Sequence, residues 1–205
     1  YAIQGGSGLS GWNPKQIGTI LNPNDAGQHP MLPSIVISDI TDDIGSEILV
    51  PQPPATDNGD AQLWLFTDDG DYADGWSSAY TLEGGGELDA TPAVGDIDGD
   101  GSLEIVAVTW EDPSDFGNNE ITHVWAVDSD ATLEWETEYD TSSSGGGGDN
   151  DEHAISSPIL AVIYNDDGEN NLDVFTCTTP DCYALDGNDG SDGGGAGDDL
   201  WSIRL

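Results

Sequence analysis

Two stretches of this chain, "SDITDDIGSEILVP" from Ser38 to Pro51 and "GDIDGDGSLEIVAV" from Gly95 to Val108, align without a gap at an offset of 57 residues. Asp39 falls on Asp96, Thr41 on Asp98, Asp43 on Asp100, Glu47 on Glu104 and Ile48 on Ile105. Such a period constrains the architecture before any single residue does, because each repeat is one supersecondary unit that must bury its apolar face against a neighbour. A third, looser copy, "AVIYNDDGENNLDVFTC" from Ala161 to Cys177, keeps the acidic loop and the exit Leu172-Asp173-Val174. It has extra loop residues and lacks the leading aspartate.

Each acidic loop follows a proline-led apolar segment: "LPSIVIS" at Leu32, "TPAVG" at Thr91 and "SPILAVI" at Ser157. Each repeat ends in an aromatic-led segment and then a tryptophan, as in "WLFTDDGDYADGW", "VWAVDSDATLEW" and "YALDGNDGSDGGGAGDDLW", with a further copy at "YAIQGGSGLSGW" from Tyr1 to Trp12. Short apolar runs rich in β-branched and aromatic residues, bounded by Gly, Asp, Asn and Pro, read as strands and hairpins. Four antiparallel strands per repeat predict an all-β fold, a β-propeller of four-stranded blades. The expected boundaries are a half blade at 1–28 and blades at 29–82, 83–141 and 152–205. Propellers have four blades or more, so the chain reads as a partial propeller or a segment of a larger one.

Aspartates in short windows prove little in a chain with 41 Asp+Glu against 2 Lys+Arg and a formal charge of −39. Such a balance favours disorder where apolar residues are scarce, but here they make up 36%, with seven Trp and six Tyr, enough for a core. Concentrated salt shortens the Debye length to about 3 Å at 1 M and removes most of the self-repulsion. The composition therefore reads as that of an extreme halophile's protein. Only Lys15 and Arg204 could neutralise phosphates, which excludes nucleic acid as a partner and disfavours anionic membranes. No apolar run approaches the roughly 20 residues needed to span a bilayer. Without an initiator Met or a signal peptide, the chain reads as a soluble mature product or an excerpt.

Cys177 and Cys182 flank "TTPD", whose Pro and Asp favour a turn. Two strands joined by that turn bring the sulfurs together, which predicts a disulfide and an oxidising, extracellular setting. The alternative is a pair of free thiols. A zinc site would need a second ligand pair that the chain does not offer.

Taken together, the proline strand, "DIDGDGSLEIV" and "VWAVDSDATLEW" resemble the FG-GAP or VCBS type of calcium-binding propeller blade, and "YALDG…LW" is also similar to quinoprotein-type propeller repeats. The resemblance covers nearly the whole chain and is best in the central repeat. It implies Ca²⁺ as the cofactor, with side chains of Asp96, Asp98 and Asp100, the Ser102 carbonyl and Glu104 as ligands. Such a set suits a hard cation that takes six to eight oxygens at about 2.3 to 2.6 Å, with glycine permitting the sharp bend. The family commonly has aspartate at the last position, where Glu104 stands. In the first repeat the implied set is Asp39, Thr41, Asp43, the Gly45 carbonyl and Glu47. There Thr41 replaces an acid and Ile44 a glycine, so weaker binding or an empty loop is expected. In the third repeat only Asp166, Asp167 and Asp173 can be nominated.

The repeating tryptophans and tyrosines read as inter-blade core rather than a sugar platform. His29, His123 and His153 share no spacing with other ligand types and read as structural or surface residues. The glycine-rich stretches at Ser142 and Gly194 read as hairpin loops. These observations predict a calcium-binding propeller module of a secreted, cell-surface or extracellular-assembly protein, acting on a protein or glycan partner without membrane insertion in this segment. The alternative is a propeller segment of a secreted enzyme, a polysaccharide lyase or hydrolase or a quinoprotein-like dehydrogenase. A lyase would need cations beyond Lys15 and Arg204, and no catalytic constellation can be singled out.

Overall fold

The computed structural model describes residues 33–41, 44–54, 59–84, 86–111, 121–140, 156–162, 171–178, 181–188 and 201–204. The expected half blade at 1–28 lies outside the described residues. Among the described residues all regular structure is strand, arranged as three four-stranded antiparallel sheets in which neighbours in sequence are neighbours in space. Sheet A holds β1 (Val36–Ser38), β2 (Glu47–Gln52), β3 (Ala61–Phe66) and β4 (Tyr80–Leu82). Sheet B holds β5 (Ala93–Gly95), β6 (Glu104–Glu111), β7 (Ile121–Asp128) and β8 (Leu133–Asp140). Sheet C holds β9 (Ile159–Ala161), β10 (Asp173–Cys177), β11 (Asp181–Leu185) and β12 (Trp201–Arg204).

Strand register makes the three sheets equivalent residue by residue. Ile37, Ile48 and Phe66 stand side by side across sheet A, as Val94, Ile105 and Val127 do across sheet B and Leu160, Val174 and Leu185 across sheet C. Sheets A and B pack face to face through one core that joins Leu49, Leu63 and Leu65 to Ile105, Trp125 and Val127. Sheets B and C pack through a second core that joins Val106, Val108 and Trp135 to Val174 and Leu185. Successive residues of β6 thus serve opposite cores, and every residue from Glu104 to Thr109 is buried. That is why "IVAV" is continuously apolar rather than alternating.

The repeated tryptophans join the sheets by hydrogen bonds as well as by packing. Trp76 Nε1 donates to the Ser129 carbonyl of sheet B at 2.7 Å, and Trp135 Nε1 donates to the Gly187 carbonyl of sheet C at 2.7 Å. Both acceptors lie two residues beyond the equivalent positions Val127 and Leu185. Within a sheet, Trp64 Nε1 donates to Gln52 Oε1 at 3.0 Å and Trp125 Nε1 to Thr109 Oγ1 at 2.9 Å. Trp76, Trp125 and Trp135 thus take the inter-sheet core role expected of the repeated aromatics, whereas Trp64 is half-buried and bonded within its own sheet. The proline-led segments are linked too, with the Ser34 N–H on Thr91 Oγ1 at 2.9 Å and the Thr91 N–H on Ser157 Oγ at 3.0 Å.

Sheet A departs from expectation in one respect: its fourth strand lies beyond Trp76 rather than including it. The positive φ of Gly70 (78°) and Gly75 (81°) turns the intervening segment back, so that Ala73 N–H reaches the Leu65 carbonyl at 3.2 Å. Trp76 still reaches sheet B from that turn.

The cysteines form the expected disulfide, directly opposite one another where β10 and β11 meet, with 3.9 Å between their Cα atoms.

Candidate metal centre

The loop from Gly95 to Glu104 joins β5 to β6 and folds on its own carboxylates. Asp96 Oδ1 accepts the Gly99 N–H at 2.8 Å, Asp98 Oδ1 the Asp100 N–H at 3.0 Å, and Asp100 Oδ1 the Ser102 N–H at 2.7 Å. Gly99 (φ 79°) and Gly101 (φ 99°) supply the left-handed turns that this path requires. Glu104, the first residue of β6, is 2% exposed, and its Oε2 accepts the Ile97 N–H at 2.8 Å.

Oxygens of Asp96, Asp98 and Glu104 all lie within 4.8 Å of one another. Burial pushes the Glu104 carboxyl up to about 7; the Ile97 N–H opposes the rise, and the negative charges of Asp98, Asp128 and Asp96 add to it. Asp128 stands opposite Glu104 in the β6–β7 register. Glu134 lies at the β-bulge of β8 and its carboxyl is also raised, by burial first and then by Asp128, Asp98, Asp100 and Asp130. Like charges thus converge on a half-buried loop in a chain with only two cationic side chains. A cation relieves such a field. The donors are all hard oxygens, which fits Ca²⁺ or Mg²⁺ and not a thiophilic metal.

Of the five positions nominated in this repeat, Asp96, Asp98 and Glu104 are gathered. Asp100 stands outside that group with its Oδ1 on the Ser102 N–H. Asp128 and Glu134 were not foreseen. The signal for Asp128 was present, since an aspartate also ends the aromatic-led run "YALD" as Asp186. Glu134 depends on a bulge that no spacing announces.

In the first repeat Glu47 reproduces Glu104. It is 1% exposed, and its Oε2 accepts the N–H groups of Ile40 at 2.6 Å and Thr41 at 3.0 Å. Asp39 is exposed, and Asp43 lies outside the described residues. The left-handed turn moves to Gly45 (φ 137°), because Ile44 replaces Gly101 and a β-branched side chain resists positive φ. In the third repeat Asp173, 5% exposed, holds the position of Glu104, while Asp166 and Asp167 lie outside the described residues.

The central loop is held by sheet C. Asn171 Nδ2 donates to the Asp98 carbonyl at 3.0 Å, and a Cβ at Gly99 would collide with the Asn171 side chain. Gly187 is equally constrained, packed against the carbonyls of Leu172 and Ile97.

A second group gathers His123, Glu136 and Glu138 on β7 and β8. His123 Nδ1 lies 2.9 Å from Glu136 Oε1, and its ring stacks on Trp125. His123 is buried, and its other ring nitrogen, Nε2, has no hydrogen-bond partner among the described residues.

No family model matches the chain, and no curated protein matches it. Among solved structures, the crystal structure of the V. cholerae biofilm matrix protein Bap1 aligns at 12% identity with a TM-score of 0.25. That alignment covers 91% of this chain and 42% of that one, and a similarity this low fixes neither fold nor function.

Proposed function

We propose that this chain is a calcium-stabilised segment of a β-propeller, belonging to an extracellular or cell-surface protein of a halophile and serving binding or assembly rather than catalysis. The observation that carries this reading is the convergence of Asp96, Asp98 and Glu104 on one loop of a four-stranded unit that recurs three times. Asp96, Asp98 and Glu104 would hold the ion, with Asp128 and Glu134 adding to the field that attracts it. The ion supplies positive charge to a carboxylate cluster that otherwise repels itself, and it stabilises by binding the folded loop over the unfolded chain.

Face-to-face packing of successive sheets supports the propeller reading, because blades bury both faces in that way. The disulfide supports an oxidising compartment. With so few cations, the partner is a protein or glycan surface able to meet an acidic one.

Calorimetric titration with CaCl₂ in molar KCl tests the reading. Wild type is expected to bind Ca²⁺ and to melt at a higher temperature with it, and Asp96→Asn with Asp98→Asn is expected to abolish both effects. A melting curve unmoved by chelator at constant salt would overturn it.

A further inference from the structure

The loop that gathers Asp96, Asp98 and Glu104 in sheet B is also one wall of the joint with sheet C. Ile97 stands between two of those acids in sequence, yet it is fully buried in the core that joins Val106 and Trp135 to Val174 and Leu185. Its N–H is held by Glu104 Oε2, and its carbonyl lies so close to Gly187 that a Cβ there has no room. Gly95, on the other side of Asp96, is equally tight against the side chains of Leu160 and Leu172, which flank the third acidic loop.

A polar contact crosses the joint at the acids themselves. Asn171 Nδ2 donates to the Asp98 carbonyl at 3.0 Å, and the Asn171 side chain fills the space that any side chain at Gly99 would need. Both contacts fall on the peptide that links Asp98 to Gly99. With that carbonyl turned to sheet C and Gly99 held at φ 79°, the Asp98 carboxylate is kept beside those of Asp96 and Glu104. Asn171 lies two residues before Asp173, as Ser102 lies two before Glu104 and Gly45 two before Glu47. Of these three positions only that of the third repeat carries a side-chain amide, so the hold on the loop of sheet B has no amide counterpart on the loop of sheet A.

We infer that Asn171 is a positioning residue for the cation site of the neighbouring sheet, so that ion binding by sheet B and docking of sheet C are one linked event. The inference rests on the calcium reading of the loop. Without a cation the three carboxylates repel one another, and the loop relaxes by moving the peptides that carry them. Those peptides also carry Ile97 and the Asp98 carbonyl, so relaxation loosens the joint. An ion that holds the carboxylates together keeps Ile97 in the core and the Asp98 carbonyl on Asn171. Linkage makes the effect reciprocal: the factor that Asn171 adds to the affinity of the loop is the factor that the ion adds, through Asn171, to the closure of the joint.

Calorimetric titration of the full chain with CaCl₂ in molar KCl, joined to exchange of the Trp135 indole N–H measured by nuclear magnetic resonance, tests the inference. That N–H is bonded to the Gly187 carbonyl and reports opening of the joint. Asn171→Leu keeps the volume and removes the donor, and is expected to weaken Ca²⁺ binding about three- to tenfold, the worth of one hydrogen bond. Saturating Ca²⁺ is expected to slow Trp135 exchange in wild type, and to slow it less in Asn171→Leu by the same factor as the loss of affinity. A residue that only stabilised the fold would shift exchange equally with and without the ion. Asn171→Ala, which leaves space instead of filling it, is expected to act in the same direction, and far-ultraviolet circular dichroism checks that both variants are folded. A wild type that binds no Ca²⁺ overturns the calcium reading and this inference together. A wild type that binds Ca²⁺ no better than Asn171→Leu does, or Trp135 exchange that Ca²⁺ leaves unmoved or slows equally in both proteins, overturns the inference alone.

Discussion

Glu47, Glu104 and Asp173 occupy one position in three sheets, and all three are buried. Two of them demonstrably close their loop on a main-chain N–H seven residues back. A buried acid that receives a hydrogen bond still resists ionisation when other carboxylates surround it, which is the state of Glu104. Its carboxyl is raised from 4.5 to about 7, so the folded chain holds a proton that the unfolded chain releases above 4.5. In chelator at constant molar salt, the stability owed to this proton is present below 4.5 and lost as pH rises through 7. Melting temperatures of wild type and Glu104→Gln should therefore diverge across that window, wild type falling more steeply. Calcium should reverse the sign for wild type, because the ion binds the carboxylate. Glu104→Gln should also weaken Ca²⁺ binding about tenfold or more, since affinity follows the number of charged ligands.

At the scale of elements, the joints between sheets rest on single indoles. Trp135→Phe keeps most of the apolar contact but leaves the Gly187 carbonyl without its donor, and should cost about 1 to 3 kcal/mol in chemical denaturation. Trp76→Phe should behave alike at the other joint. The β10–β11 hairpin is closed by its disulfide, and Cys177→Ser with Cys182→Ser should cost about 2 kcal/mol from loop closure alone. The strands, their order and this pairing were readable in the sequence, because short apolar runs, turn residues and the 57-residue offset act locally. The approach of Asp128 and Glu134 to the Asp96 loop was not, because it depends on hairpin register and a bulge. The displacement of β4 beyond Trp76 was hidden for a similar reason: two glycines at positive φ reroute the chain without changing the repeat's spacing.

At the scale of the whole molecule, salt and calcium act on different charges. One divalent ion in the Asp96 loop offsets two of 39 formal charges, so local binding cannot relieve the repulsion spread over the surface. Screening can, because the Debye length falls from about 10 Å at 0.1 M to about 3 Å at 1 M. The two effects should therefore separate in a grid of KCl and free Ca²⁺ monitored by thermal melting. Raising KCl from 0.1 to 1 M should raise the melting temperature at every calcium level, and equally in Asp96→Asn with Asp98→Asn. Calcium should add its increment only where the loop is intact, and that increment should shrink as salt rises, since screening also weakens the attraction between ion and loop. A chain fully folded in 0.1 M KCl with chelator would show that its apolar cores alone offset the repulsion, and would contradict the halophilic reading. Equal loss of the salt and calcium effects in the double variant would instead place both in the loop. The outcome to expect is separation of the two effects, KCl raising the melting temperature of wild type and double variant alike while calcium acts on wild type alone, because the charge to be screened is spread over the surface around both cores and the ion meets only the Asp96 loop.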